Sequence, residues 1–226
     1  MLIQILLGMP REYVTLVGDV VGSKTIQNRE AFRRRLQSAC DHVNSAFSKD
    51  FYAKVKLIKG VDEVSGVLTR LENVYRIIQL IYQTIHPHLS RFAIVYGPLD
   101  IGLASKDAAR MDGTAFHKAA DTIAQLKKTG DLVAVQLGDD LVDRLLTSHM
   151  NLVFFLQRGW TERQFELATL YRKLGSQEKV AKRLDIIQPT VSKALKAANY
   201  DEILRAEESI NEALAEYQKR LLKEVA

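Results

Sequence analysis

The chain has 226 residues, of which 47% are hydrophobic and 26% are charged, so it can bury a core and is not a disordered segment. Its single cysteine, Cys40, excludes a disulfide framework and a cysteine-based zinc site. No apolar run approaches the roughly 20 residues of a membrane span, and no basic residue precedes the apolar N-terminal stretch, as one would in a signal peptide. We therefore expect a cytoplasmic protein.

The net charge of +5 is concentrated in one part of the chain. Residues 158–198 hold nine lysines and arginines against four acids, a local charge of +5. Residues 1–157 carry +3, and residues 199–226 carry −3. A basic window of this kind is typical of a nucleic-acid contact, although it also occurs as solvated surface.

Residues 13–138 alternate between strand patterns and helix patterns. The elements predicted in chain order are a strand at 13–21, a helix at 29–47, a hairpin within 55–68, a helix at 74–85, a strand pair within 92–103, a helix at 114–128 and a strand at 132–137. The order β-α-β-β-α-β, then α-β, predicts an α+β fold with a ferredoxin-like sheet and helices on one face. Cys40 lies on the apolar face of its helix and is expected in the core.

After Gly138 the strand patterns stop, which predicts an αβ domain of residues 1–138 and an all-α domain of residues 139–226. Residues 139–156 are a linking helix. The next helix begins with a capping box of Thr161 and Gln164, and Trp160 can pack on Phe165 as a hydrophobic staple.

Two further helices, 177–184 and 188–198, have the apolar spacing of a helix-turn-helix. Ser176 caps the first, and Asp185 occupies the turn, where aspartate tolerates the left-handed conformation. The inward-facing residues are Val180, Ala181, Leu184, Ile186, Val191 and Leu195. The outward-facing residues, predicted to contact DNA bases and phosphates, are Gln188, Thr190, Ser192, Lys193 and Lys196. The alternative is a helical bundle that contacts protein.

Two acids lie where neighbouring strands of the predicted sheet end, Asp19 in the first strand and Asp62 in the hairpin. Two carboxylates repel each other unless a cation lies between them, and Mg²⁺ takes one or two carboxylates together with phosphate oxygens. The turn formed by Gly22, Ser23 and Lys24 could offer backbone N–H groups and an ammonium to phosphate. Alternatively, Asp19 is bonded to backbone N–H groups and Asp62 is an ordinary turn residue.

Three motifs resemble the SatD family: GDVVGS at 18–23, DEVSG at 62–66 and MDGTAFHKA at 111–119. In the second motif Val61, Val64 and Ser65 replace the family's glycine, aromatic residue and glutamine. The resemblance covers most of residues 13–138, and it implies that Asp112 and Gly113 belong to the nucleotide site. Such proteins can continue into a helix-turn-helix.

The SatD family is similar in turn to class III nucleotidyl cyclases, and Asp19 and Asp62 match the cyclase residues that hold metal ions across a homodimer interface. His117 falls where those enzymes use asparagine on the ribose, and Asp121 falls where they use arginine on the phosphates. An acid at that position repels a triphosphate. The resemblance therefore favours nucleotide sensing over turnover.

We interpret the chain as a homodimeric, DNA-binding transcriptional regulator whose cyclase-like domain senses a nucleotide with Mg²⁺. The first alternative is a nucleotidyl cyclase or nucleotidyltransferase that uses paired aspartates and metal ions. The second is an interaction module that docks a partner through acids of its last helix, namely Glu207, Glu208, Glu212 and Glu216.

Overall fold

The structure, a computed structural model, describes residues 12–60 and 62–224. Its described elements are a five-stranded sheet and eight α-helices in a mixed α+β arrangement. The strands are β1 (Glu12–Val20), β2 (Phe51–Lys59), β3 (Glu63–Leu68), β4 (Ser90–Pro98) and β5 (Val133–Gln136). The helices are α1 (Arg29–Ala46), α2 (Val74–Ile85), α3 (Thr114–Thr129), α4 (Asp140–Arg158), α5 (Glu162–Leu174), α6 (Gln177–Leu184), α7 (Gln188–Ala197) and α8 (Tyr200–Glu224). Among these, no helix is long and apolar enough to cross a membrane.

The chain forms two compact units, which we call the αβ unit (Met1–Ser148 with Asn211–Ala226) and the helical unit (His149–Ile210). The end of α8 belongs to the αβ unit because it is bonded there. Gln218 Oε1 accepts from Leu71 N at 2.7 Å, and the Tyr217 hydroxyl donates to Leu137 O at 3.4 Å. The boundaries of these units differ from the domain boundary predicted after Gly138. That domain boundary stays a prediction.

The sheet has the strand order β2-β3-β1-β4-β5, with β1 in the centre. β1 is antiparallel to both β3 and β4, and β5 is parallel to β4. The first strand and the hairpin strand are therefore neighbours, as predicted. Two acidic positions come together in this register, since Asp19 pairs with Glu63.

Both faces of the sheet are covered, so the prediction of helices on one face is wrong. Ala119 and Ile123 of α3 pack with Tyr13 and Val17, which point to one face of β1. Leu16, on the alternate face, is also buried. The helices α1 and α2 pack on each other and contact β2 and β4. The second face is covered because β4 and β5 are parallel, and two adjacent parallel strands need a crossover connection between them. α3 is that crossover.

The strand pair predicted within 92–103 is also wrong. β4 ends at Pro98, and the chain continues through two 3-10 turns, Leu103–Ser105 and Ala108–Arg110. Ile101 forms an isolated bridge with Asp112 instead of pairing with β4. Cys40 is buried as predicted, and burial raises the pKa of its thiol to about 12, so the thiol is a core group without acid–base chemistry.

The helical unit confirms the predicted helix starts. Thr161 and Gln164 form both hydrogen bonds of a capping box, at 3.2 and 2.8 Å, and the rings of Trp160 and Phe165 lie 6.4 Å apart. The Ser176 hydroxyl accepts from Lys179 N. The residues predicted to face inward belong to one cluster, with Val180, Ala181, Val191 and Leu195 buried and Leu184 and Ile186 packed against them. Asp185 has φ +53°, the left-handed conformation expected there.

A buried acid connects three helices of this unit. Glu207 of α8 is only 3% exposed and accepts hydrogen bonds from Arg172 Nη1 of α5 at 2.6 Å and from Gln157 Nε2 of α4 at 2.9 Å. The sequence analysis predicts Glu207 as one of the acids that dock a partner, and the structure shows that this is wrong for Glu207. It is not available for docking, because its carboxylate is enclosed by its own unit.

Replacing Arg172 by Met is expected to lower the free energy of unfolding by about 3 kcal/mol, because Glu207 would stay buried without its cation. The matched control is Arg205→Met, which removes an exposed pair with Glu202 and should cost less than about 0.5 kcal/mol. Urea unfolding followed by the fluorescence of Trp160, the single tryptophan, measures both. Equal losses in the two variants would contradict the prediction.

Candidate functional site

Asp19 lies near the end of the central strand and is held by two cations. Its side chain is 17% exposed. Lys127 Nζ, from α3, lies 2.7 Å from Oδ1, and Arg91 Nη1, from β4, lies 3.5 Å from Oδ2. Arg91 faces Asp19 directly in the strand register and is itself 15% exposed. The predicted metal ligand is therefore a carboxylate whose charge the fold already compensates.

The second predicted ligand, Asp62, reaches β1 through its backbone. Val20 N donates to Asp62 O at 2.8 Å. The residue directly across from Asp19 is Glu63, and opposed residues of antiparallel strands point to the same face. Glu63 is thus the carboxylate that shares a face with Asp19, whereas the sequence analysis selected its neighbour Asp62.

A cavity of about 250 Å³ opens beside Asp19 and Glu63. One face of α3 lines it, from Phe116 through Ala120 to Lys127, opposite β1 and β3. Phe116 belongs to the third sequence motif, Asp19 to the first and Glu63 to the second. The three motifs therefore meet in one place, although they are far apart in the chain.

The predicted phosphate turn does not line this cavity. Gly22 has φ +64° and precedes a 3-10 turn formed by Ser23–Thr25. Thr25 donates from both its N–H and its hydroxyl to Gly22 O, at 2.9 and 2.8 Å. The turn is closed on itself, and Lys24 is exposed.

Asp112 and Gly113 stand at the start of α3, outside the lining of the cavity. Asp112 Oδ1 accepts from Gly113 N at 2.8 Å and lies 3.0 Å from His117 Nε2. Gly113 has φ +151°, and a Cβ atom there would lie 3.0 Å from Leu99 Cα and Pro98 O. A side chain at this position would be strained by the backbone conformation and would crowd the end of β4.

The family resemblance implies a Mg²⁺ ion, and two of the side chains present could bind one. Asp62 Oδ1 is a buried oxygen with no hydrogen-bond partner among the described residues, 3.9 Å from Arg29 Nη2. An oxygen of this kind fits a cation. Lys127 would have to leave Asp19, and its half-exposed side chain is able to do so. The described residues contain no group of three or more His, Cys, Asp or Glu arranged for a metal, so phosphate or water oxygens would complete the shell.

The residues predicted to contact DNA lie on α7. Thr190, Lys193 and Lys196 are exposed, whereas Ser192 is half-buried. Gln188 is half-buried and donates to Gln177 Oε1 at 2.6 Å. Ile187, just before α7, is 70% exposed, and sequence reasoning missed it. The sequence contained the information, because only one of the adjacent residues Ile186 and Ile187 can fill the turn, and the other must then be exposed.

Cations on α6 and α7 are exposed and unpaired. None of the five makes an ion pair with another residue in the described part of the chain; they are Lys179, Lys182, Arg183, Lys193 and Lys196. By contrast, Arg163 is paired with Glu166, and Arg172 with Glu207. The two helices carry one acid, Glu178, and the turn between them adds Asp185, so their surface is positive.

Comparison with known proteins gives a family. The model of the SatD family matches residues 13–214. The chain belongs to the SatD family. The match to the family model extends over residues of both units. A search of curated proteins found no match to this chain.

Two solved structures of a bacterial light-regulated adenylyl cyclase are similar to this SatD-family chain at 18% identity and a TM-score of 0.39. The first match covers 59% of this chain and 48% of the cyclase chain. The second covers 56% of this chain and 43% of the cyclase chain. This chain therefore spans about half the length of the cyclase chains or less. The regulator of polyketide synthase expression from Bifidobacterium adolescentis is similar over 92% of this chain and 84% of that chain, at 14% identity and a TM-score of 0.28. At such scores, function must be argued from the residues of the SatD-family chain itself.

Asp19→Asn is expected to lower the free energy of unfolding by about 1–3 kcal/mol, because Arg91 would lose a charged partner in a mostly buried place. Asp62→Asn is the matched control and should cost less than about 0.5 kcal/mol, since both Asp62 and Arg29 are about half exposed. Urea unfolding followed by circular dichroism measures both. A larger loss for Asp62→Asn would show that the two cations do not depend on Asp19.

Proposed function

We propose that this SatD-family protein is a cytoplasmic, DNA-binding transcriptional regulator that works as a homodimer. In this proposal α6 and α7 form a helix-turn-helix. The αβ unit is a ferredoxin-like, cyclase-like domain that binds a nucleotide with Mg²⁺. The observation that carries the proposal is the set of exposed, unpaired cations on α6 and α7.

The geometry of α6 and α7 supports DNA binding. α6 ends at the left-handed Asp185, and α7 begins three residues later with Pro189 in its first turn. The buried side of α7 is anchored through Val191 and Leu195, which leaves the opposite side, with Thr190 and Lys193, for a ligand. A recognition helix contacts base edges with residues near its N-terminus.

The exposed Ile187 adds an apolar contact at that N-terminus. An isoleucine that is 70% exposed beside polar and basic residues is suited to the methyl group of thymine in a major groove. The nearby lysines would neutralise phosphates and release counterions, which supplies affinity without sequence preference. Ile187 and Thr190 are then the residues that select sequence.

Support for a nucleotide in the αβ unit comes from the cavity beside Asp19. Asp19, with Glu63 on its face of the sheet beside the cavity, would hold the ion, which supplies positive charge for phosphate oxygens. Asp62 Oδ1, which has no hydrogen-bond partner among the described residues, is the further ligand that the resemblance implies. Lys127 is placed to transfer its ammonium from Asp19 to a phosphate. Asp121 is exposed where turnover would call for a cation, so we propose binding and not catalysis.

A homodimer is proposed because helix-turn-helix proteins read two half-sites about one helical turn apart, which a two-fold pair of chains matches. Nucleotide binding would then change the preferred arrangement of the pair only if the two states differ in affinity for it. The interaction-module alternative is weaker, because Glu207 is enclosed and Glu216 is paired with Lys219 at 2.6 Å.

Lys193→Ala and Lys196→Ala are each expected to weaken binding to genomic DNA fragments and to reduce the slope of log K against log salt by about 1. Fluorescence anisotropy over a range of salt concentrations measures the slope. The matched control, Arg205→Ala, removes one exposed charge from α8 and should leave the slope unchanged. Equal slopes in all three variants, or no salt-dependent binding by the wild type, would remove the DNA-binding proposal.

A nucleotide together with Mg²⁺ is expected to raise the melting temperature of the wild type and not of Asp62→Asn, because ligands that bind only the folded state stabilise it. Thermal-shift measurements with a nucleotide panel test this. Asp100→Asn, an exposed acid of the same unit outside the cavity lining, is the control that should keep the shift. No shift with any nucleotide would leave the αβ unit without a ligand, whereas a cyclic or oligomeric product lost in Asp62→Asn would establish the enzyme alternative.

A further inference from the structure

α4 has an exposed apolar stripe in addition to its buried side. Met150, Val153 and Phe154 are buried. On the opposite side, four large apolar residues are between 56% and 69% exposed, and we call them the α4 stripe: Leu141, Leu145, Leu152 and Phe155. A single exposed leucine is ordinary, but a continuous row of four on one helix marks an interaction surface.

The spacing of the α4 stripe is that of a coiled-coil seam. With the exposed Ser148 included, its members follow one another at steps of four, three, four and three residues. This alternation keeps one seam facing a partner helix over the length of α4. The surface therefore fits a second helix of similar length.

We propose that the α4 stripe is covered by the α4 stripe of a second copy of this chain, with the two helices antiparallel about a two-fold axis at Ser148. In this register Leu141 lies against the partner's Phe155, and Leu145 lies against the partner's Leu152. The two serines meet at the axis, where a small side chain allows the helices to approach closely. The surface is self-complementary, as an isologous interface must be.

Charge selects the antiparallel direction. Asp139 precedes α4, Asp140 is its first residue, and Arg158 is its last. An antiparallel pair brings each acidic end beside the basic end of the other helix, and it also aligns the helix dipoles favourably. A parallel pair would place two acidic ends together. Burying the stripe removes roughly 500 Å² of apolar surface per chain, so the pair reaches the roughly 1,000 Å² of a specific interface.

This inference rests on the homodimer of the proposed function and names its surface. It is tested by measuring mass without DNA or nucleotide, so that its failure is separate from failure of ligand binding. In sedimentation equilibrium the wild type is expected to be a dimer, and Leu145→Glu and Leu152→Glu are expected to be monomers with unchanged circular dichroism. The matched control is Leu222→Glu on α8, 62% exposed and outside the stripe, which should remain a dimer.

Cysteine cross-linking tests the direction. Ser148→Cys is expected to form a disulfide-linked dimer on mild oxidation, because the two copies of that residue meet at the axis. Leu141→Cys alone is expected to stay unlinked, since its neighbour is the partner's Phe155, and the native Cys40 is buried and does not interfere. A monomeric wild type, a dimer that survives Leu145→Glu, or a self-linked Leu141→Cys would overturn the proposal. The second of these results would leave the homodimer and overturn only its surface.

Discussion

The charge of Asp19 on the central strand determines what must surround it. β1 is bonded on both sides and covered on both faces, so a carboxylate there needs cations close by. β4 supplies Arg91 in register, and α3 supplies Lys127 from its last turn. The crossover to β5 thus has an electrostatic role as well as a topological one. The small Ala120 and Ala124 on the same face of α3 line the cavity beside the acid.

The helical unit also contains a buried acid that needs partners, Glu207. Its carboxylate is fully enclosed, and the cation and the amide that satisfy it come from two other helices of that unit. Removing either partner alone is costly, because the remaining charge stays buried. In both units a poorly exposed acid is therefore paired with cations from other elements of the fold. In the helical unit Arg172 is held by Glu207, whereas the half-exposed Lys127 of the αβ unit can still leave Asp19 for a phosphate.

Features set by neighbouring residues could be predicted from the sequence. The capping box at Thr161, the left-handed Asp185 and the bounds of α2 and α6 depend on contacts within one turn, and the structure confirms them. Features set by distant residues could not. No local pattern shows that Lys127 and Arg91 hold Asp19, that Glu207 is enclosed, or that the end of α8 returns to the αβ unit. The strand pair after Pro98 failed for this reason too, because Ile101 found a partner eleven residues onward.

The division between paired and unpaired cations changes how the net charge of +5 should be understood. The window of residues 158–198 contains nine lysines and arginines, but Arg163 and Arg172 are already paired within their own unit. DNA phosphates would have to compete with Glu166 and Glu207 for these two arginines, so Arg163 and Arg172 should contribute little to DNA binding. The five on α6 and α7 are exposed and have no such partner among the described residues. A polyanion can engage exposed, unpaired cations without breaking an existing ion pair, so the salt dependence of binding should reflect at most the seven cations of the window other than Arg163 and Arg172, and not all nine.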